Sequence, residues 1–207
     1  MSWLIKKLNF TVDLKEMQEY YEMLQRDYEH LRWDFQKCQH EITDEWRERI
    51  QAHYGAERGW GWAIQSNLVD ENLPCPPYNI STHPRCDYRN TSMAQGLILR
   101  LQKAIPYAYR WSLFVQLPGG TVPRHVDQFD EYTGHIPLQW DKDAVFECGE
   151  DENNLETITM PPDGSVYLVD TLVPHATFNR SNQNRVGIVF RFHRSHLPEL
   201  EALTGQI

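Results

Sequence analysis

The first 54 residues of this chain contain neither glycine nor proline, while all 11 glycines and all 12 prolines fall from Gly55 onward. Glycine and proline are the residues that permit or impose sharp changes of direction, so a fold of many short strands needs them and a long helix excludes them. The chain therefore divides into an N-terminal helical segment, 1–59, and a turn-rich remainder, 60–207. The remainder carries most of the length, so the helices are expected to pack on it. At 207 residues the chain can bury a core without disulfide or metal staples.

Within the N-terminal part, Leu14, Met17, Tyr21, Leu24, Tyr28, Leu31, Phe35, Cys38 and Ile42 recur at alternating spacings of three and four, a helical stripe. The same spacing is formally a heptad seam, so a coiled-coil dimer through residues 14–42 is conceivable. Two-stranded seams favour Leu and β-branched residues, and this one is rich in Tyr and Phe, which argues for a helix laid on a sheet. Leu31, Trp33 and Phe35 also fit the alternation of a strand, which leaves helical continuity past Tyr28 open. Thr43, followed by Asp44 and Glu45, reads as the N-cap and acidic first turn of a second helix ending near Gly55.

From Trp60 the pattern becomes that of short strands, interrupted by a helix over Met93 to Lys103 that Pro106 stops. Strand-like runs cover Tyr107 to Leu117, Gly134 to Leu138, Leu155 to Met160, Ser165 to Val169, His175 to Asn179 and Val186 to Phe192. Pro118-Gly119-Gly120, Pro161-Pro162-Asp163-Gly164 and Ser181-Asn182-Gln183-Asn184 punctuate them. Strands of this length with turns about every ten residues predict a sandwich, barrel or jelly roll. The formal net charge of −9 opposes sequence-independent nucleic-acid binding, which relies on cations that displace counterions from phosphates. No apolar run reaches the roughly 20 residues that span a bilayer, and Met1 to Phe10 shows no secretory pattern. The cysteines at 38, 75, 86 and 148 form no CxxC pair, so reduced thiols in a cytoplasmic compartment are expected.

Chemistry concentrates in Leu117-Pro118-Gly119-Gly120-Thr121-Val122-Pro123-Arg124-His125-Val126-Asp127. On a strand, i and i+2 share a face, so His125 and Asp127 bring an imidazole and a carboxylate together. His175 opens another strand fifty residues on, and Arg185 begins an apolar strand ten residues later. Two histidines and one carboxylate on a β scaffold make the facial triad of non-haem Fe(II), with open positions for a co-substrate and O2. An arginine nearby offers a planar fork suited to a carboxylate.

The flanks strengthen this reading. With Gly134-His135-Ile136-Pro137-Leu138, Gly164 to Asp170, His175 to Asn179 and Asn184 to Phe190, the stretch from about Trp111 to Leu200 resembles the aspartyl/asparaginyl β-hydroxylase family of Fe(II)/2-oxoglutarate-dependent oxygenases, which includes some free-proline hydroxylases. The resemblance implies a double-stranded β-helix, a jelly-roll, cupin-like fold, so the expected class is mainly β with N-terminal helices. It implies His125, Asp127 and His175 as iron ligands, and Arg185 and His135 as contacts to 2-oxoglutarate. It further implies hydroxylation of an amino acid, free or in a peptide or protein, with release of succinate and CO2. Two positions depart from the family pattern. Thr133 stands where an arginine is frequent, and Phe114 where a serine can occur. Both positions can touch co-substrate.

Two other classes stay open on the residues alone: a non-catalytic jelly-roll binding or assembly module, and a cupin-type metalloenzyme that does not use 2-oxoglutarate. Asp170 reads either as a group that orients His175 or braces its loop, or as a turn cap. His193 and His196 have metal-like spacing but sit among arginines near a strand exit, which favours a solvated role. Cys75, His83 and Cys86 lack a fourth ligand for zinc. Gln139 to Asn154 carries six acids and few strand signals, and reads equally as a solvated surface loop or as a rim loop or lid whose field would favour cationic or zwitterionic substrates.

Overall fold

In the computed structural model, residues 3–34, 58–64, 93–127, 130–150 and 154–207 are described. Strand β1 (Ile5–Thr11) leads into helix α1 (Leu14–Asp27), and strand β2 (Trp33–Asp34) follows a short 3-10 turn. Then come β3 (Gly59–Ile64), helix α2 (Gly96–Ala104), β4 (Tyr109–Gln116) and β5 (Thr121–His125). These are followed by β6 (Glu131–Gln139), β7 (Ala144–Cys148), β8 (Glu156–Ile158) and β9 (Ser165–Asp170). Strands β10 (His175–Asn179) and β11 (Arg185–His193), helix α3 (Leu197–Glu201) and β12 (Gly205–Gln206) complete the order.

Eight strands form one sheet in the order β12-β1-β9-β6-β11-β4-β3-β2, and four form a second, β5-β10-β7-β8. Two facing sheets with these non-sequential neighbours are a jelly roll, the double-stranded β-helix. The expected fold class is observed.

Strand alternation assigns the two faces of the large sheet different tasks. Along β11, Val186, Ile188, Phe190 and Phe192 enter a core with Ile136 and Leu138 of β6 and Trp111, Leu113 and Val115 of β4. Helices α1 and α2 cover that face with Met17, Tyr20, Leu24, Leu97, Ile98 and Leu101. The residues between them turn the other way, toward the small sheet. They are Arg185 and Arg191 of β11, Thr133 and His135 of β6, and Gln116 of β4. A second apolar cluster fills part of that inter-sheet space, with Ile5, Trp140, Phe146, Cys148, Met160, Tyr167 and Val169. The inter-sheet space is therefore polar at one place and apolar around it.

Three expectations change. The first 59 residues are not wholly helical, because β1 is an internal strand of the large sheet, antiparallel to β9 and parallel to β12. Its apolar residues Ile5, Leu8 and Phe10 are buried, but a register shift between Lys7 and Thr11 breaks the simple alternation that would have announced a strand. The helical stripe ends at α1, which Asp13 caps by accepting a hydrogen bond from the Glu16 N–H at 3.1 Å. Past Asp27 the chain turns and Trp33–Asp34 pairs with β3, so residues 14–42 contain no continuous seam, and Met17 and Leu24 are spent inside this chain's own core. The segment Gln139 to Asn154 is not a lid, because it contains β7, paired with β10 and β8. Ala144, Phe146 and Cys148 alternate inward there, and Glu147 with the acids that flank the strand hid the pattern. The helix expected from Thr43 to Gly55, the rest of the stripe from Phe35 to Ile42, and Cys75, His83 and Cys86 lie outside the described residues.

Gly134 shows how closely the core face is packed. A Cβ built there would lie 2.2 Å from the Phe190 ring, and Phe190 is itself stacked on Trp111 with centroids 4.6 Å apart. Gly134→Ala is expected to destabilise the fold by about 1–3 kcal/mol, read as a lower urea midpoint. An unchanged midpoint would show that the ring has room to move.

Candidate metal centre

The first histidine is placed by the end of β5 and the second by the start of β10, and the two are direct cross-strand partners, His175 opposite His125. Directly opposed side chains share a face and stand close together, and the two ring centroids are 4.2 Å apart. Asp127 lies two residues beyond the end of β5, fixed by its N–H donating to the Thr171 carbonyl at 2.9 Å. The nearest ligand atoms of His125, Asp127 and His175 all lie within 4.8 Å of one another.

Both rings are oriented by the backbone. The Nδ1 of His125 contacts the Pro123 carbonyl at 2.8 Å, and that of His175 contacts the Val173 carbonyl at 3.0 Å. A carbonyl only accepts, so each Nδ1 carries the proton and each Nε2 keeps its lone pair. The His125 Nε2 lies 3.6 Å from Asp127 Oδ1. Phe146 stacks on His175 at 5.8 Å with an interplanar angle of 7°, which limits ring rotation. Burial, then the neighbouring His125, holds the His175 imidazole down to about 4. Burial would push the Asp127 carboxyl up, but Arg191, by charge and hydrogen bond, and the two histidines bring it below its ordinary value. Two imidazoles whose Nδ1 atoms are committed to backbone carbonyls, together with a carboxylate, are a donor set for a divalent metal.

Arg185 lies deeper between the sheets and is buried. Its Nη1 donates to Gln116 Oε1 at 2.9 Å, and its guanidinium lies 3.9 Å from the Trp140 ring centroid and 4.9 Å from that of Phe114. Gln116 in turn donates to Thr177 Oγ1 at 3.4 Å, which links the arginine to the strand that carries His175. Phe114 thus supports the guanidinium through its ring face.

His135 sits edge-on to Phe146 at 5.4 Å. Burial first, then the charges of Arg185 and Arg191 and the nearby His175, push its imidazole well below its ordinary value. It is therefore neutral, and its Nδ1 has no hydrogen-bond partner among the described residues. The Thr133 hydroxyl is in the same state. Buried polar atoms are almost always satisfied, so two orphans beside a buried arginine suit a polar, anionic small molecule in this space. The residues present therefore fit both a metal and a carboxylate-bearing co-substrate.

The remaining candidates resolve simply. Asp170 caps its turn, accepting from the Leu172 N–H at 3.1 Å, and forms a bidentate ion pair with Arg194. It braces the loop before His175, whose ring is held by the Val173 carbonyl and not by Asp170. His193 lies near Asp130 and Ser195 at the surface. Sequence reasoning missed Gln116, Glu131 and Arg191 as parts of the site. Arg191 had a signal, since it shares strand parity with Arg185. The only large hydrophobic side chains that stand exposed among the described residues, Val126 and Leu172, flank the triad.

No protein-family model and no curated protein matches this chain. Solved structures with a similar fold include a prolyl-4-hydroxylase from Pseudomonas putida, at 13% identity over 92% of each chain with a TM-score of 0.49. A predicted oxalate decarboxylase from Thermotoga maritima is similar at 18% identity, covering 44% of this chain and 73% of that one with a TM-score of 0.33. A cupin domain from Bordetella pertussis is similar at 16% identity, over 41% and 80% respectively, with a TM-score of 0.32. The likeness is one of fold, and the chemistry rests on this chain's own residues. No helix among the described residues is long and apolar enough to cross a membrane.

The buried histidines make stability depend on pH. Both His175 and His135 have folded pKa values below the unfolded value near 6.5, so the unfolded chain binds protons first as pH falls. Their contribution is complete above about 6.5 and is lost progressively as pH falls, by about 2 kcal/mol at pH 5 from His175 alone, whose folded value is about 4. Urea unfolding of the metal-free protein at pH 7 and pH 5 measures this, and His175→Gln should lose less. Equal stability at the two pH values would contradict the neutral, buried assignment.

Proposed function

We propose that this chain is a Fe(II)/2-oxoglutarate-dependent hydroxylase, a dioxygenase that acts on an amino acid, free or within a peptide or protein. The observation that carries the reading is the convergence of His125, Asp127 and His175 with both Nδ1 atoms committed to backbone carbonyls, which turns the remaining donor atoms to one purpose. In this reading the three residues hold the iron, and Arg185 receives the distal carboxylate of 2-oxoglutarate in a charge-assisted pair. Trp140 and Phe114, on the guanidinium faces, exclude water from that pair and strengthen it. His135, neutral and with its Nδ1 unpartnered, offers the co-substrate a further hydrogen bond. When bound, ferrous iron with 2-oxoglutarate and O2 supplies the oxidising power to convert a substrate C–H bond to C–OH, with succinate and CO2 as co-products.

The buried Arg185, whose planar fork suits a carboxylate, favours this reading over a cupin-type metalloenzyme without 2-oxoglutarate. The exposed Val126 and Leu172 beside the triad suit an apolar portion of the substrate.

Succinate formation from 2-oxoglutarate in the presence of Fe(II), O2 and candidate amino acids or peptides, with a substrate mass gain of one oxygen atom, tests the proposal. His175→Ala should reduce succinate formation to background. A variant that decarboxylates 2-oxoglutarate at the native rate would remove His175 from the metal site. Arg185→Gln should raise the KM for 2-oxoglutarate about 10- to 100-fold, as expected for loss of a charged hydrogen-bonded pair. An unchanged KM would place the co-substrate elsewhere.

A further inference from the structure

The Asp127 carboxylate divides its two oxygens. Oδ1 faces the histidine pair, 3.6 Å from His125 Nε2, while Oδ2 accepts a hydrogen bond from Arg191 Nη1. Arg191 projects from β11 on the face that carries Arg185, and its Nη1 also lies 3.6 Å from Glu131 Oε2 on β6. Glu131 and Asp127 are both largely withdrawn from solvent, at 2% and 15% side-chain exposure, and Arg191 at 26%. Strand β5 ends at His125, so Asp127 stands on irregular backbone, tied by its one N–H bond to Thr171. A side chain on such a segment needs a partner from a rigid strand if it is to stay aligned with the histidines.

We propose that Arg191 is a positioning residue for the metal, clamping Oδ2 of Asp127 so that Oδ1 alone is presented beside the two imidazoles, with Glu131 as its counter-charge. This rests on the metal-centre reading and adds to it how the carboxylate is held. The counter-charge matters for the sign of the effect. A lone guanidinium beside a ligand carboxylate would repel a divalent cation. With Glu131 opposite, the Asp127–Arg191–Glu131 group keeps the net charge of one carboxylate, and alignment is what Arg191 contributes. Outer groups that orient a ligand in this way typically change metal affinity about 10- to 100-fold.

The test is a titration of the metal-free protein with Co(II), whose visible absorption reports the coordination of the metal directly and needs no turnover. Arg191→Met is combined with Glu131→Gln so that the group beside the histidines keeps the net charge of one carboxylate, with the native protein as reference and unfolding midpoints to confirm the fold. The double variant should bind Co(II) about 10- to 100-fold more weakly than the reference and show an altered spectrum. Arg191→Lys, which keeps the charge but not the planar fork, should recover part of the affinity. In an Asp127→Ala background, Arg191→Met should cause no further loss, because its effect passes through that carboxylate. Co(II) binding that is unchanged or tighter without Arg191 would overturn the proposal. An equal loss with and without Asp127 would do the same, leaving Arg191 a structural role. Failure of the native protein to bind Co(II) at all would instead sink the metal-centre reading beneath it.

Discussion

Register in the large sheet is the constraint on which the rest of this molecule depends. In β11, every second residue enters the core under α1 and α2, and those between face the small sheet. A slip of one residue would exchange the two sets, burying Arg185 and Arg191 among Trp111, Leu113 and Leu97 and turning Phe190 and Phe192 into the inter-sheet space. The cost of burying unpaired charge in an apolar core makes that slip prohibitive. The arginines of the candidate site thus help to specify the fold, and the Phe190–Trp111 stack and the close fit at Gly134 hold the same register from the other face.

The small sheet then needs only one correct pairing. With His175 set opposite His125, two imidazoles share a face, and their Nδ1 bonds to the carbonyls of Pro123 and Val173, each two residues back, orient both in the same sense. The loop before His175 is secured from two sides, by the Asp170–Arg194 ion pair and by Asp127 N–H to Thr171. The placement of the two histidines therefore follows from backbone and strand pairing.

Much of this was legible in the chain. The switch from a stretch without glycine or proline to one full of both located the β core, and the HxD spacing with a distant His and Arg picked out residues that the fold assembles. The rest was hidden for identifiable reasons. Strand β1 is disguised by Lys6, Lys7 and a register shift. Strand β7 is disguised by Glu147 and its acidic flanks, because alternating Ala144, Phe146 and Cys148 is a weak hydrophobic signal. Glu131, Gln116 and Arg191 could be placed on strands, but their partners come from other strands, and sequence alone does not pair strands. Asp170 was open between two roles, and it serves both, capping its turn and bracing the loop before His175 through Arg194.

The central claim is that His125, Asp127 and His175 form one metal site that adjoins the Arg185 pocket. Anaerobic calorimetric titration of Fe(II), followed by 2-oxoglutarate, measures it without reference to any substrate. The account predicts one ferrous ion per chain, lost when His125 or His175 is replaced by alanine, and 2-oxoglutarate binding that is much tighter after iron than before. Absence of iron binding, or 2-oxoglutarate binding with the same affinity whether or not iron is bound, would contradict it.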